Sequence, residues 1–177
     1  MDDKKNIILI GMMGAGKSTL GHLLDAKLSD FYYVDIDNKI EEEAGKLIPD
    51  IFEQDGEDYF RELESKVIKK FCSYHNQVIA TGGGIVEKTE NIDIMKKNGV
   101  LFYLKAKPQT LFERIKNSTH RPMLFHKDPM ERINQLIKKR EQLYEMADFE
   151  IDTEDKELLE IVNEIVKKYD QSNQFNN

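Results

Sequence analysis

Short apolar runs alternate along the chain with longer stretches in which apolar residues recur every three or four positions. The runs are 7–10, 31–34, 78–80, 100–104 and 149–151. Short runs rich in β-branched and aromatic residues predict strands. Between them, Leu20, Leu23, Leu24 and Leu28 keep helical spacing. So do Phe60, Leu63, Val67 and Phe71, and later Ile133, Leu136, Ile137, Leu143 and Tyr144. Strand–helix alternation requires crossover connections. It therefore predicts an α/β fold: a five-stranded parallel sheet with helices on both faces, three layers in all. Ligands of such sheets bind beyond the carboxyl ends of the strands. The residues that follow each run are where chemistry is expected.

At 177 residues the chain has room for one domain with its own core. No repeat and no Pro-, Gly- or Ser-rich linker divides it. Residues 1–170 read as a single domain, and the polar stretch 171–177 as a disordered tail. Lys plus Arg is 26 and Asp plus Glu is 33, a formal net charge of −7. That balance argues against a general nucleic-acid binder, while leaving room for a local anion site. The longest apolar runs are far too short to span a bilayer. The opening Met1-Asp2-Asp3-Lys4-Lys5 is too short and acidic for a signal peptide. The single cysteine, Cys72, allows neither an internal disulfide nor a cysteine metal cluster. A cytoplasmic monomer with no membrane or nucleic-acid partner is expected.

The first run is followed by Gly11-Met12-Met13-Gly14-Ala15-Gly16-Lys17-Ser18-Thr19, which fits G-x-x-x-x-G-K-[ST]. Glycines let a backbone turn tightly and bring its N–H groups against phosphate oxygens. The helix that starts near Lys17 adds its dipole. Lys17 can reach the β- and γ-phosphates, and Ser18 can ligate Mg²⁺. A chance glycine-rich turn is the alternative, but the motif lies between a predicted strand and a predicted helix, the context that marks a nucleoside-triphosphate loop.

The second run ends in Asp35-Ile36-Asp37. One carboxylate can face Mg²⁺ through water, and the other can accept a hydrogen bond from a substrate hydroxyl. Either could instead cap a helix that begins near Asn38. The third run leads through Thr81 into Gly82-Gly83-Gly84. Three glycines disfavour both strand and helix, so something there needs bare backbone, either a close-approaching ligand or a flexible turn.

Three arginines stand out. Arg140 lies on the apolar stripe of its helix, and Arg61 at the edge of another. A buried guanidinium needs an anion: a substrate carboxylate gripped in bidentate fashion, or an internal ion pair. For Arg61 the candidate ion-pair partners are Glu57 and Glu64. Arg121 falls in the polar, helix-breaking stretch Asn117-Ser118-Thr119-His120-Arg121-Pro122, which reads as a lid carrying a cation or as a plain surface loop. Two inward arginines favour an anionic substrate, and Asp37 a hydroxylated one.

With these motifs in this order, the chain resembles the shikimate kinases, small P-loop kinases of aromatic amino-acid biosynthesis. The resemblance runs from Asn6 to about Thr153. It rests on the phosphate loop, Asp35-Ile36-Asp37, Phe60-Arg61-Glu62, Thr81-Gly82-Gly83-Gly84, Arg121-Pro122-Met123-Leu124, and Arg140 with Leu143-Tyr144. Met123 replaces the more usual Leu of that segment, a tolerable exchange. The resemblance implies a P-loop kinase fold with a mobile lid at about 114–128. It implies that Gly14, Ala15, Gly16, Lys17, Ser18 and Thr19 bind ATP, that Ser18 and, through water, Asp35 serve Mg²⁺, and that Arg114 lies against the adenine. Asp37 would orient or deprotonate the attacking hydroxyl of shikimate. Arg61 and Arg140 would hold its carboxylate, the run Gly82, Gly83, Gly84 would approach it, and Arg121 would close onto the phosphates. Lys17, Asp37 and Arg121 would be the catalytic groups. The nearest rival is another small-molecule P-loop kinase, such as a gluconate kinase. A nucleotide-binding switch is a rival of a different class, but a base-specific N-K-x-D motif in the right place is missing.

Overall fold

β-Branched and aromatic side chains fill both sides of a pleated ribbon, and here they do so in five short strands. The computed structural model describes residues 5–116 and 128–174. Its strands are β1 (Asn6–Ile10), β2 (Tyr32–Asp35), β3 (Gln77–Ala80), β4 (Gly99–Lys105) and β5 (Phe149–Asp152). They pair in parallel in the order β2-β3-β1-β4-β5. Successive residues of a strand point to opposite faces, yet every residue of β1 is buried. Both faces of the sheet are therefore covered, as expected for an α/β fold.

The cover comes from the three predicted stripes and from helices that were not predicted. Helix α1 (Lys17–Lys27) packs with α8 (Leu158–Gln174), and α4 (Gly56–Cys72) with α5 (Thr89–Asn98). Leu20, Leu24, Phe60, Leu63, Val67, Ile133, Leu136 and Tyr144 are buried. Leu23, Leu28, Phe71, Ile137 and Leu143 pack along the edge of the core. Helices α2 (Ile36–Ala44), α3 (Ile48–Gln54), α6 (Pro108–Ile115) and α7 (Pro129–Tyr144) complete the fold, with a 3₁₀ turn at Ile85–Glu87. Proline opens the first turn of α6 and α7, where its fixed φ suits a helix start and its missing N–H costs nothing. Asp128 caps α7 by accepting from the Glu131 N–H at 3.0 Å.

One expectation needs revision, and another lies outside the described residues. The stretch 171–177 was expected to be a disordered tail, but α8 continues to Gln174. Its buried stripe of Ile161, Ile165 and Tyr169 anchors the helix, and the Ser172 hydroxyl donates to the Tyr169 carbonyl at 2.7 Å. The expected lid falls largely on residues 117–127, which, with Arg121, lie outside the described residues.

The strand order is what assembles a site. Because β2, β3 and β1 are neighbours, the segments that leave their carboxyl ends emerge side by side. These are Asp35-Ile36-Asp37, the triple glycine and the glycine-rich loop. Thr81 ties two of them together: its N–H and its hydroxyl both donate to the Leu9 carbonyl, at 3.2 and 3.0 Å.

Candidate active site

The loop after β1 turns into α1 through Gly16, whose φ of 93° is left-handed and strained for any other residue. No side chain caps α1, so its first amides face the hollow of the loop, where an anion would be held. The Lys17 ammonium lies across the same hollow and donates to the Gly11 and Met12 carbonyls at 2.8 and 3.0 Å. Arg114, at the end of α6, donates to the Gly14 carbonyl at 3.3 Å and to that of Thr153 at 3.5 Å. It thus joins the loop to the end of β5.

The two aspartates divide their work. Asp35 is the cap of α2, which begins at Ile36 and so earlier than the expected start near Asn38. Its Oδ1 accepts from the Asp37 and Asn38 N–H groups at 3.0 and 3.3 Å. Its Oδ2 accepts from the Ser18 hydroxyl at 3.2 Å and from the Tyr33 hydroxyl at 2.9 Å. Capping and site-facing roles therefore coexist in one carboxylate. Tyr33 is a site residue that sequence reasoning missed, although strand alternation already puts it on the face of Asp35. Burial, helped by the nearby Asp35 and Asp37, holds its hydroxyl protonated well above the usual phenol range. Ser18 and Asp35 offer hard oxygen donors, and no cluster of three or more His, Cys, Asp or Glu suited to a metal exists among the described residues. That donor set fits a Mg²⁺ ion held mainly by phosphate and water oxygens.

Asp37 points the other way, toward the triple glycine. A Cβ on Gly82 would lie 2.7 Å from Asp37 Oδ1 and 3.1 Å from Glu64 Oε1, and one on Gly84 would collide with the Arg61 guanidinium. The bare backbone thus leaves room for the ends of the chain's own Asp37, Glu64 and Arg61 side chains. Gly83 is held from behind: its carbonyl accepts from the Tyr144 hydroxyl at 2.5 Å.

Each inward arginine carries a carboxylate partner. Arg61 Nη1 lies 2.7 Å from Glu64 Oε2, and Nη2 lies 3.3 Å from Glu57 Oε1. Arg140 is 7% exposed and places Nε and Nη2 at 2.8 and 2.6 Å from a single oxygen, Glu87 Oε1. The internal ion pairs foreseen as one alternative are therefore present. They use only part of each guanidinium, which has five N–H donors. Glu64 was expected only as a surface partner of Arg61, and Glu87 was not expected to take part. Glu64 lies four residues after Phe60 on the same helical face, so a charge in that stripe was the available signal.

Glu64 is fully buried, and its Oε1 has no hydrogen-bond partner among the described residues. Burial pushes its carboxyl from 4.5 up to about 7; Arg61 pulls it back only in part, and Asp37 adds to the rise. Because the folded value exceeds the unfolded one, stability from this group is complete below about pH 4.5 and is lost as pH rises through about 7. The whole span is about 3 kcal/mol. Glu64→Gln cannot ionise. Its melting temperature relative to wild type is therefore expected to improve by several degrees between pH 5 and pH 8. A difference that stays flat with pH would show that Glu64 does not titrate in this window.

Comparison with known proteins agrees with this geometry. The sequence model described as "Shikimate kinase" matches residues 13–170. The shikimate kinase of Thermodesulfovibrio yellowstonii is 47% identical over 166 residues, 94% of this chain and 95% of the relative. The structure of the Acinetobacter baumannii shikimate kinase in complex with shikimate superposes with a TM-score of 0.90 at 33% identity, covering 96% of this chain and 94% of that one. A gluconokinase from Sinorhizobium meliloti, at a TM-score of 0.65 and 16% identity over 99% of this chain and 98% of its own, shares the fold alone.

Proposed function

The chain belongs to the shikimate kinase family, and we propose that it transfers the γ-phosphoryl group of ATP to the 3-hydroxyl of shikimate, giving shikimate 3-phosphate and ADP. The observation that carries this reading is the convergence of Asp37, Arg61 and Glu64 on the triple glycine, directly beside the phosphate loop. A carboxylate that accepts from a hydroxyl and a guanidinium that takes a carboxylate suit a hydroxylated acid. The loop suits the phosphate donor.

In this reading the first amides of α1 and Lys17 hold the ATP phosphates, with Gly14, Ala15, Gly16, Ser18 and Thr19 forming the cradle. Arg114, bonded to the Gly14 carbonyl, flanks the nucleotide on the side of β5. Ser18 and Asp35 would hold Mg²⁺ through oxygen and water, and the ion supplies charge neutralisation on the phosphates. Tyr33 and the amides of α2 fix the Asp35 carboxylate for that task. Asp37 orients the attacking hydroxyl and takes its proton. Arg61 and Arg140 fix the substrate carboxylate, and Gly82, Gly83 and Gly84 let the ring lie close to the backbone. Arg121, outside the described residues, is assigned to the phosphates on the strength of the Arg-Pro motif. Catalysis is chiefly positioning and charge stabilisation, as in phosphoryl transfer generally. Among the described residues no helix is long and apolar enough to cross a membrane.

The test is ADP release from purified protein with Mg²⁺-ATP and shikimate, with gluconate as the control acid. Release that requires shikimate is expected. Release driven by gluconate would reassign both arginines, and release with neither acid would overturn the substrate assignment.

A further inference from the structure

The 3₁₀ turn Ile85–Glu87 follows the triple glycine directly, and the Glu87 N–H donates to the Gly84 carbonyl at 3.0 Å. The glycine run therefore fixes where the Glu87 side chain starts. Across the gap, α7 presents Arg140, one turn before Tyr144, whose hydroxyl holds Gly83. One oxygen of Glu87 receives both Nε and Nη2 of Arg140. Two bonds to one edge of a planar guanidinium fix its plane and its direction. The opposite nitrogen, Nη1, lies 3.9 Å from the Met12 sulfur, a weak acceptor in the phosphate loop, and the guanidinium also bonds the neighbouring Tyr144 hydroxyl. Arg140 thus spends one edge on Glu87 and turns the other toward the space between the loop and the glycines.

We infer that Glu87 is a positioning residue: it aims the other edge of Arg140 at the substrate carboxylate. This rests on the assignment of Arg140 to that carboxylate. A carboxylate so close to an anion site would be expected to repel the substrate, but its charge is already met on both sides. Arg140 takes Oε1, and the Lys139 ammonium takes Oε2. Arg61 is the third cation that faces it. With the charge compensated, orientation is the effect that remains. The same compensation keeps the Glu87 carboxyl ionised: burial raises its pKa, but Lys139 and Arg140 together bring it below the ordinary value.

Two variants test this. Glu87→Met keeps the bulk and loses both charge and acceptor. Glu87→Gln keeps an acceptor for Nε and Nη2. In Glu87→Met the shikimate KM is expected to rise about tenfold, the worth of one charge-assisted contact, with kcat and the ATP KM within about twofold of wild type. Glu87→Gln is expected to fall between the two. Calorimetric titration of shikimate into each protein reads the same contact without turnover, and melting curves report whether each variant is folded. A shikimate KM or dissociation constant that stays within twofold of wild type, or falls, overturns the inference. So does an ATP KM that rises in step, since that would place the effect in the phosphate loop. Wild-type protein that releases no ADP yet binds shikimate would overturn the reaction and leave the Glu87 comparison readable by calorimetry. Wild-type protein that binds no shikimate would overturn both.

Discussion

Asp37→Asn is expected to lower kcat by a factor of about 10²–10⁴ while leaving the ATP KM within about threefold, because the exchange removes a positioned base and little else. The asparagine side chain has nearly the same shape and still accepts through one oxygen, so the substrate hydroxyl can still be held. What disappears is the negative charge that favours loss of the hydroxyl proton as the oxygen attacks phosphorus. The structure makes this a clean experiment. Asp35, not Asp37, caps α2, with its Oδ1 taking the Asp37 and Asn38 N–H groups. Helix α2 should therefore survive the substitution. The phosphate contacts are assigned to the loop after β1, and the gap between Gly82 and Asp37 keeps its size. Glu64 adds a second readout. Part of the rise in its pKa comes from repulsion by Asp37, so neutralising Asp37 should lower it. Near-normal kcat in a folded Asp37→Asn protein would remove Asp37 from proton transfer.

The same contrast shows how far the chain could be read in advance. Residues whose placement depends on backbone or on strand ends were legible. The loop glycines, Lys17 and Ser18 are bound to a local motif, and parallel alternation places that motif at the carboxyl edge of the sheet. Arg61 and Arg140 were visible because a guanidinium in an apolar stripe violates the pattern around it. Their partners were not. Glu87 meets Arg140 only because the glycine run and a 3₁₀ turn bring it there, 53 residues away in sequence. Glu64 was within reach, since it lies in the Phe60 stripe, but so many carboxylates surround it in sequence that none stands out. Helices α3, α5 and α6 were missed for a simpler reason. They have 7, 10 and 8 residues, too few turns for a helical period to emerge. Helix α8 was not foreseen either, although Ile161, Val162, Ile165 and Tyr169 keep helical spacing, and its polar end says nothing of the buried stripe that carries it forward.

Lys17→Met is the second substitution with a large expected effect, and its outcome separates charge from packing. Methionine keeps an unbranched stem of similar length and can occupy the same narrow course through the loop. The ammonium is what is lost. In a site that excludes water, one preorganised donor on developing negative charge is worth about 10²–10³ in rate, and kcat/KM for ATP should fall by at least that much. The cost to the folded protein is smaller. The Gly11 and Met12 carbonyls lose the donor that now reaches them at 2.8 and 3.0 Å, about 1–3 kcal/mol if water cannot replace it. Backbone bonds remain in the loop, including that of the Ala15 N–H to the Met12 carbonyl at 3.1 Å. A melting curve therefore should show a modest shift beside a near-complete loss of turnover. Lys17→Arg should not restore activity, because the planar, wider guanidinium cannot follow the path of a slim ammonium stem between those two carbonyls. Turnover of the Met variant within tenfold of wild type would mean that the phosphate charge is met elsewhere, and the cation of the Arg-Pro segment would be the first candidate. A collapse of the melting transition instead would mean that Lys17 serves chiefly to hold the loop in shape.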